Sequence, residues 1–595
     1  MEKKLLDIWQ VVVVMAMLLL AVGVGFGQGI VTGSISGTVI DPQGAVVAGA
    51  DVRAIQVETD RVFSTTSSSA GVVQLPSLPL GKYTVVVEAK GFSIYRVDNV
   101  LVEVGKDTSL GPITIKLGSA AETVTVEGGV SPLVEATTDQ LSETFESKAV
   151  ESVPLGNTYD SFVLFTPGVA TAGSGGFSNN NGAELSINGQ RSRSNNFQLD
   201  GQNNNDNTIG GPSIFFGNQD VIAELQVVTN FDAEYGRNMG GVVNYITKGG
   251  TNEFHGTGFE FWQGDHFDSL QNQEKSPLYG FCTPGQSPSS GCAEPVVPLF
   301  VENQFGGTVG GPIKRDKIWF FGSTNLERIR TSGAPYSSAT SLTPDATGLQ
   351  ELKTAFPNSP GVAMLEQFGP AQVILGSPTF SNITQIPVTV GTTTVPIEMG
   401  TISRSLSSPF NDYEATGRVD FQFTSKDRFF TRYIFQKTLQ TSEAFFPPAF
   451  EAQGWIVDVN GKNQQIGLDL THSFGPEFLN QVRFSYSRAL SGFQGGAFPN
   501  CVLASLGSCP PQINIIDPSV LGLGMYQIFP QGRIINVYEV QDNASRVHGK
   551  HVMKWGGDYD KQRSPNYSLF GTNSIITFAN FNSLIANTPF ESQVA

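Results

Sequence analysis

A chain of 595 residues exceeds what one hydrophobic core organises, so three or four structural units are expected. A formal charge of −17 with only 15% charged residues excludes a general phosphate-binding surface, because nucleic-acid affinity comes from clustered Lys and Arg. Apolar content of 39%, with 66 glycines and 42 phenylalanines, also excludes a helical membrane bundle and a disordered chain.

Residues 1–27 carry the pattern of a secretory signal peptide. Lys3 and Lys4 supply positive charge, residues 11–24 form an apolar run of 14 residues, and Gly25 and Gly27 are small residues suited to cleavage, placed after Gly27. The run is shorter than the roughly 20 residues that a membrane-spanning helix needs. No later stretch is apolar enough to span as a helix, so insertion into a bilayer has to use strands.

Residues 28–118 predict a small β-sandwich of about seven strands. Alternating runs at 36–40 and 83–87 are punctuated by turn signals at 41–44, 79–81 and 90–91. The order of Gly37, Asp41, Gly44, Gly49, Ala50, Gly71, Gly81, Tyr83, Gly91 and Phe92 resembles the carboxypeptidase regulatory-like domain. That resemblance implies a transthyretin-like sandwich related in fold to carbohydrate-binding modules, and no peptidase activity. Val73 departs from it where the family has an aromatic residue, and Asp60 where it has glycine.

Residues 119–130 are a Gly-flanked linker around the alternating, β-prone run Glu122, Thr123, Val124, Thr125, Val126 and Glu127. The run reads as a last strand of the sandwich, as a plain connector, or as an extended peptide offered to the edge of a partner's sheet. The third option gains main-chain hydrogen bonds with little demand on side chains.

From 131 to 250, Gly- and Asn-rich loops separate short apolar pieces at 185–190, 197–201 and 224–228, which predicts a small α+β domain. Residues 154–157, 166–168, 188–192, 200–201, 234–237 and 240–248 follow in order and spacing the plug of TonB-dependent outer-membrane receptors, and 249–256 is similar to the start of their first barrel strand. The resemblance is to the subgroup that carries a regulatory-like sandwich ahead of the plug. It implies TonB and its inner-membrane energising complex as partners, and makes Glu122, Thr123, Val124, Thr125 and Val126 the TonB box, with their backbone as the contact.

Residues 251–595 repeat one unit, two alternating runs of about ten residues joined by a tight polar turn and followed by a long irregular stretch. Over 415–423 one face carries Ala415, Gly417, Val419, Phe421 and Phe423, and the other Thr416, Arg418, Asp420 and Gln422, so the inner side has to be wet. Tight turns at 314–316, 424–427, 474–477 and 548–551 fall on one side of this pattern. Long pieces near 264–302, 329–412, 438–462 and 489–533 fall on the other, external side. Soluble sandwich strands average about 5–6 residues, whereas about ten residues suit a tilted membrane span.

The expected fold class is therefore mainly β: a transthyretin-like β-sandwich, a small α+β plug and a partial antiparallel transmembrane β-barrel. About nine barrel strands are legible, against about twenty-two in the resembled family. The expectation is a fragment that stops before its barrel closes.

Cys282 with Cys292, and Cys501 with Cys509, form two local pairs in Pro-, Gly- and Ser-rich external pieces, and both read as disulfides of an oxidising compartment. None of His255, His266, His472, His548 and His551 lies near a cysteine or in a zinc-protease spacing, so no metal site is expected. Residues 195–207 place Asp200, Asn204 and Asp206 at even spacings but lack the Gly and Glu of a calcium loop, and read as an Asx-rich plug loop. No catalytic residue, cofactor or enzymatic activity is expected.

Two functions remain open at this point. One is a TonB-driven outer-membrane receptor that takes up an oligosaccharide, peptide or metal chelate. The other is an outer-membrane adhesion protein whose sandwich and loops bind glycan or peptide. Both place the barrel in outer-membrane lipid and the sandwich in the periplasm.

Overall fold

The computed structural model describes residues 31–118, 123–127, 140–147, 160–171, 185–208, 211–214, 216–231, 233–236, 239–269, 297, 299–331, 336–337, 341–369, 379–404, 409–443, 457–475, 478–495, 512–523, 531–548, 551–567 and 575–593. The signal-peptide residues, Glu122 and all four cysteines lie outside them.

Period-two alternation folds the first unit into two facing sheets. The strands are β1 (Gly33–Ile40), β2 (Asp51–Gln56), β3 (Val62–Thr66), β4 (Val72–Leu78), β5 (Gly81–Glu88), β6 (Ile94–Val102) and β7 (Asp107–Thr114). One sheet runs β4-β1-β7, with β1 antiparallel to β4 and parallel to β7. Inward residues such as Ile35, Val39, Val52, Val85, Val87 and Ile113 close the core between the sheets. Tyr83 is buried with them, its hydroxyl satisfied by donating to the Pro79 carbonyl at 2.7 Å. An eighth strand, β8 (Thr123–Glu127), completes the second sheet in the order β3-β2-β5-β6-β8. It runs parallel to β6, from Ile94 opposite Thr123 to Asp98 opposite Glu127. Residues 123–127 of the linker run are thus a sandwich strand in this structure, the first of the readings its alternation allowed.

The second unit contains β9 (Leu141–Glu146), β10 (Val169–Thr171), β11 (Leu185–Ile187), β12 (Asn196–Leu199), β13 (Gln202–Asn203), β14 (Ile222–Asn230) and β15 (Val242–Thr247), with a helical turn at Asp160–Val163. Its main sheet runs β13-β12-β15-β14-β9. Asp200 and Gly201 turn the chain between β12 and β13 at φ 49 and 70, a left-handed pair that Asp and Gly adopt with least strain. Phe162, Leu185, Phe197, Leu199, Leu225, Val227 and Val243 give this inner domain an apolar core, against which Ile434 of the later barrel segment also packs.

From residue 255 the chain alternates between a wall of long strands and an outer layer. The wall begins with β16 (His255–Gly264), β17 (Phe300–Lys314) and β18 (Ile318–Thr331). The outer layer takes β19 (Tyr336–Ser337), β20 (Thr343–Pro344), β21 (Thr379–Val390) and β22 (Thr393–Arg404). The wall resumes with β23 (Phe410–Gln422), β24 (Asp427–Glu443), β25 (Val457–Gly475) and β26 (Phe478–Gly495). After β27 (Gln512–Ile515) in the outer layer come wall strands β28 (Gln531–His548), β29 (His551–Arg563) and the short β30 (Asn566–Tyr567). Outer strands β31 (Ile575–Phe578) and β32 (Glu591–Gln593) follow.

Every neighbouring pair in the wall is antiparallel, in the order β16-β17-β18-β23-β24-β25-β26-β28-β29, and among the described residues the sheet is open. The turns at 314–316 and 424–427 join β17 to β18 and β23 to β24, and β25 pairs with β26 and β28 with β29 as the sequence pattern expects. Several strands exceed ten residues, β25 reaching 19, because pairing continues past the span toward the outer layer. The two faces differ completely: Arg432 is 0% exposed and the adjacent Tyr433 46% exposed. Phe261, Leu470, Phe484, Val540 and Trp555 are likewise exposed on the outward face, a greasy belt that water would penalise and lipid would not.

The outer layer corrects one expectation. Residues 341–369, 379–404 and 512–523, within pieces that read as irregular, join residues 575–593 and helices Ala346–Ala355, Pro360–Phe368 and Phe581–Ile585 in a domain with its own core of Leu352, Leu365, Val388, Ile397, Ile513 and Leu584. All three segments leave the wall at the ends opposite the tight turns. The core is closed only when side chains from all three segments meet, so the sequence of any one of them does not announce the domain.

Candidate functional site

The inner face of the wall is a field of charged and amide side chains, and the inner domain sits against it. Arg432, on β24, donates to the Asp200 carboxylate through Nη1, and through Nη2 to Gln202 Oε1 at 3.1 Å and Gln465 Oε1 at 2.6 Å. Asp200 also accepts from the Thr247 amide at 2.8 Å and hydroxyl at 2.7 Å. Arg418, on β23, lies 3.8 Å from Asp200 and donates to the Thr247 carbonyl at 3.0 Å, while its other nitrogens engage Asp420 at 2.9 and 3.1 Å. A cation held on both sides by carboxylates and carbonyls can remain charged without water.

The Asx-rich loop makes the next layer. The Asn203 amide donates to both oxygens of Glu539, at 3.0 and 3.1 Å, and its side-chain nitrogen to Asp560 at 2.8 Å. Gln541 donates to the Gly201 carbonyl at 3.1 Å, and Arg533 holds Asp206 at 2.7 Å. Burial pushes the Asp206 carboxyl up, but Arg533 and the Thr208 hydrogen bonds outweigh it and hold the group below its ordinary range. Two of the three even-spaced residues weighed for calcium therefore meet arginines, and Asn204 donates to the Ile214 carbonyl at 3.0 Å. Glu539, Asp558 and Asp560 do come within 4.8 Å of one another, yet Glu539 and Asp560 are already acceptors for Asn203.

The sandwich closes the turn side. The Val104 amide donates to Glu224 Oε2 at 2.9 Å, and Gln226 Nε2 donates to the Val104 carbonyl at 3.0 Å, tying a sandwich turn to β14. Burial pushes the Glu224 carboxyl up to about 8, with the Val104 hydrogen bond opposing. Arg61 lies over the Trp319 ring at 4.1 Å, and burial lowers that guanidinium to about 10. The Trp319 indole N–H donates to Asn252 at 2.9 Å, and the Asn252 amide to the Glu58 carbonyl at 2.9 Å. Arg428 reaches the Ser77 carbonyl at 2.9 Å. Between sandwich, inner domain and wall lies a cavity of about 530 Å³, lined by Arg61, Thr247, His255, Arg418, Asp420 and Arg428 among others.

Thr123, Val124, Thr125 and Val126 are in β8, at the end of the sandwich sheet order. His548 and His551 pair across the β28–β29 turn. Arg432, Asp469, Arg483 and Glu539, all buried, were not singled out from the sequence. The signal was present, since each is a charge at an inward position of an alternating strand, as Arg418 and Asp420 are.

A buried polar inner face and an exposed aromatic outer face on antiparallel strands are the marks of a barrel in lipid. Residues 246–594, more than half of the chain, match the family model described as an outer membrane beta barrel domain. The chain belongs to this outer-membrane barrel family. Residues 34–117 match the carboxypeptidase regulatory-like domain. The curated TonB-dependent transporter Oar of Myxococcus xanthus is 26% identical over 324 residues, covering 51% of this chain and 28% of that protein. Among solved structures, the outer membrane transporter YddB from Escherichia coli aligns at 9% identity and TM-score 0.46, covering 74% of this chain and 50% of its own. The siderophore receptor PirA from Acinetobacter baumannii aligns at 14% identity and TM-score 0.42, covering 72% and 49%. The chain thus spans 28% of the length of Oar and about half of these two receptors. The wall is the barrel sheet of an outer-membrane protein, and its exposed aromatic face is the lipid face.

Proposed function

We propose that this outer-membrane protein is a TonB-dependent receptor that takes up a large or scarce nutrient, an oligosaccharide, peptide or metal chelate, by TonB-driven movement of the inner domain as a plug. The observation that carries the reading is the contrast between the plug's interior and its boundary. Its core is apolar and draws in Ile434 from the wall, whereas the plug otherwise meets the wall chiefly through ion pairs and amide hydrogen bonds. Water can replace the polar contacts one for one when the plug shifts, so movement uncovers little apolar surface beyond that around Ile434. The pull would be applied at Glu122, Thr123, Val124, Thr125 and Val126.

Deletion of residues 122–127 tests the reading. Growth on defined oligosaccharides, peptides or ferric chelates as sole sources is compared with that of a strain lacking the whole gene, with surface display followed by antibody. The expected result is that both strains lose the same nutrient while display is unchanged. A nutrient lost only with the whole gene would overturn TonB-driven uptake.

The outer-layer domain favours a second reading, adhesion, because a folded external unit with its own core can present a fixed binding face. In that case the 122–127 deletion leaves attachment to glycan or peptide surfaces intact, and the sandwich, whose fold is shared with carbohydrate-binding modules, is the place to look for glycan contact.

A further inference from the structure

The proposed box is not free in this structure. Its strand β8 is the last in the sheet order β3-β2-β5-β6-β8, and residues 123–127 pair with residues 94–98 of β6 in five consecutive parallel positions. An extended peptide offers two edges of N–H and C=O groups, and β6 occupies one of them.

We infer that the β6 edge of the sandwich is a reversible docking site for the box, so that TonB acquires the box by strand exchange with β6. The inference rests on the box assignment above and adds the question of how the box becomes available.

The chain order supplies the reason. The segment after β8 leads to β9 in the plug sheet, and the segment before it leads back to β7 in the sandwich. The sandwich is itself fastened to the plug and wall by the Val104 contacts with Glu224 and Gln226, Arg61 on Trp319, and Arg428 on Ser77. A pull on a box still paired with β6 loads the sandwich and these fastenings. Only a box released from β6 passes the whole load along residues 128–140 to the plug. Addition of a partner strand to the outer edge of β8 would leave that short circuit in place.

Two features set the balance between docked and released. The box follows β7 closely in the chain, so it meets β6 at high effective concentration. Against this, the pairing is short, lies at a sheet edge and is parallel, the less stable arrangement per residue. A partner then binds with its affinity reduced by the fraction of chains whose box is free.

The test uses the full chain in detergent with Arg96→Cys and Thr125→Cys, two positions opposite each other in the β6–β8 register. Arg96→Cys alone and the deletion of residues 122–127 are made beside it, and the probe is the purified periplasmic domain of TonB. The crosslink is expected to form on oxidation. The oxidised protein is expected to bind TonB at least about tenfold more weakly than the same protein reduced, while oxidation leaves binding by Arg96→Cys alone unchanged. Failure of the crosslink to form, or equal binding by oxidised and reduced protein, overturns strand exchange. If instead the 122–127 deletion binds TonB as well as wild type does, the box assignment itself falls, and the two failures are distinguished.

Discussion

The Arg432 guanidinium donates to the Asp200 carboxylate across the boundary between barrel wall and plug, and both side chains are out of solvent, 0% and 2% exposed. Neither charge has water to fall back on. Removing one partner of such a pair leaves the other uncompensated at a cost of about 3–5 kcal/mol, whereas replacing both together often costs little.

Asp200→Asn is therefore expected to loosen the plug, seen as faster cleavage of residues 185–247 in limited proteolysis and a lower melting temperature. The double variant Asp200→Asn with Arg432→Met should recover most of the loss. If the double variant is as labile as the sum of the singles, the pair is not the coupling element.

Gly105 sits at φ 69 in the sandwich turn that enters the plug, and a Cβ there would lie 2.6 Å from Gln226 Nε2. Gly105→Ala meets both a left-handed backbone penalty of roughly 1–2 kcal/mol and a clash with the donor to Val104. The sandwich core lies elsewhere, so the expected result is undocking of an intact sandwich. Hydrogen exchange should accelerate at the Val104 amide and remain slow at β5.

Adjacent residues of the wall should respond in opposite ways. Val540 faces lipid at 41% exposure and Glu539 faces the plug at 2%. Val540→Lys places a charge in the belt, at a cost of up to about 2–4 kcal/mol near the bilayer midplane, and should reduce barrel assembly in the membrane. Glu539→Gln should leave assembly intact and weaken retention of the plug, since the Asn203 amide loses a charged acceptor. Heat-modifiable mobility on gels reports the first effect and protease access to residues 200–208 the second.

These contrasts separate what the sequence makes legible from what it does not. The wall could be read because its signal is local: Thr416, Arg418 and Asp420 alternate with Gly417, Val419 and Phe421 within one strand, and a hydrophilic face opposite a greasy one has few physical explanations. The turn at 424–427 and the turn at 548–551 were legible for the same reason. The plug contacts were not, because Arg432 and Asp200 are far apart in the chain and nothing near either names the other. The outer-layer core was hidden more thoroughly, since Leu352, Ile513 and Leu584 come from three segments separated by wall strands, and nothing in one segment names the others. The 122–127 run was ambiguous for a different reason. Alternating Thr and Val suit any sheet edge, and the sandwich supplies one in β6.

Glu224 gives the sandwich–plug contact a pH dependence whose sign follows from its surroundings. Burial raises its carboxyl from 4.5 to about 8; Glu103 and Glu146 push the same way, while the Val104 amide and Lys106 oppose. A group raised in the docked state favours docking in its protonated form. Its contribution is complete below about 4.5 and is lost as pH rises through about 8. The Val104 hydrogen bond does not reverse this, because a carboxylic acid oxygen still accepts from an N–H while shedding the cost of a buried charge. Docking measured by hydrogen exchange at the Val104 amide should thus be tighter at pH 5 than at pH 8.5. Glu224→Gln keeps an acceptor without a titrating proton, and should remove the slope between those values. A slope that persists in the Gln variant would assign the titration to another group and leave the Val104–Glu224 contact a structural tie alone.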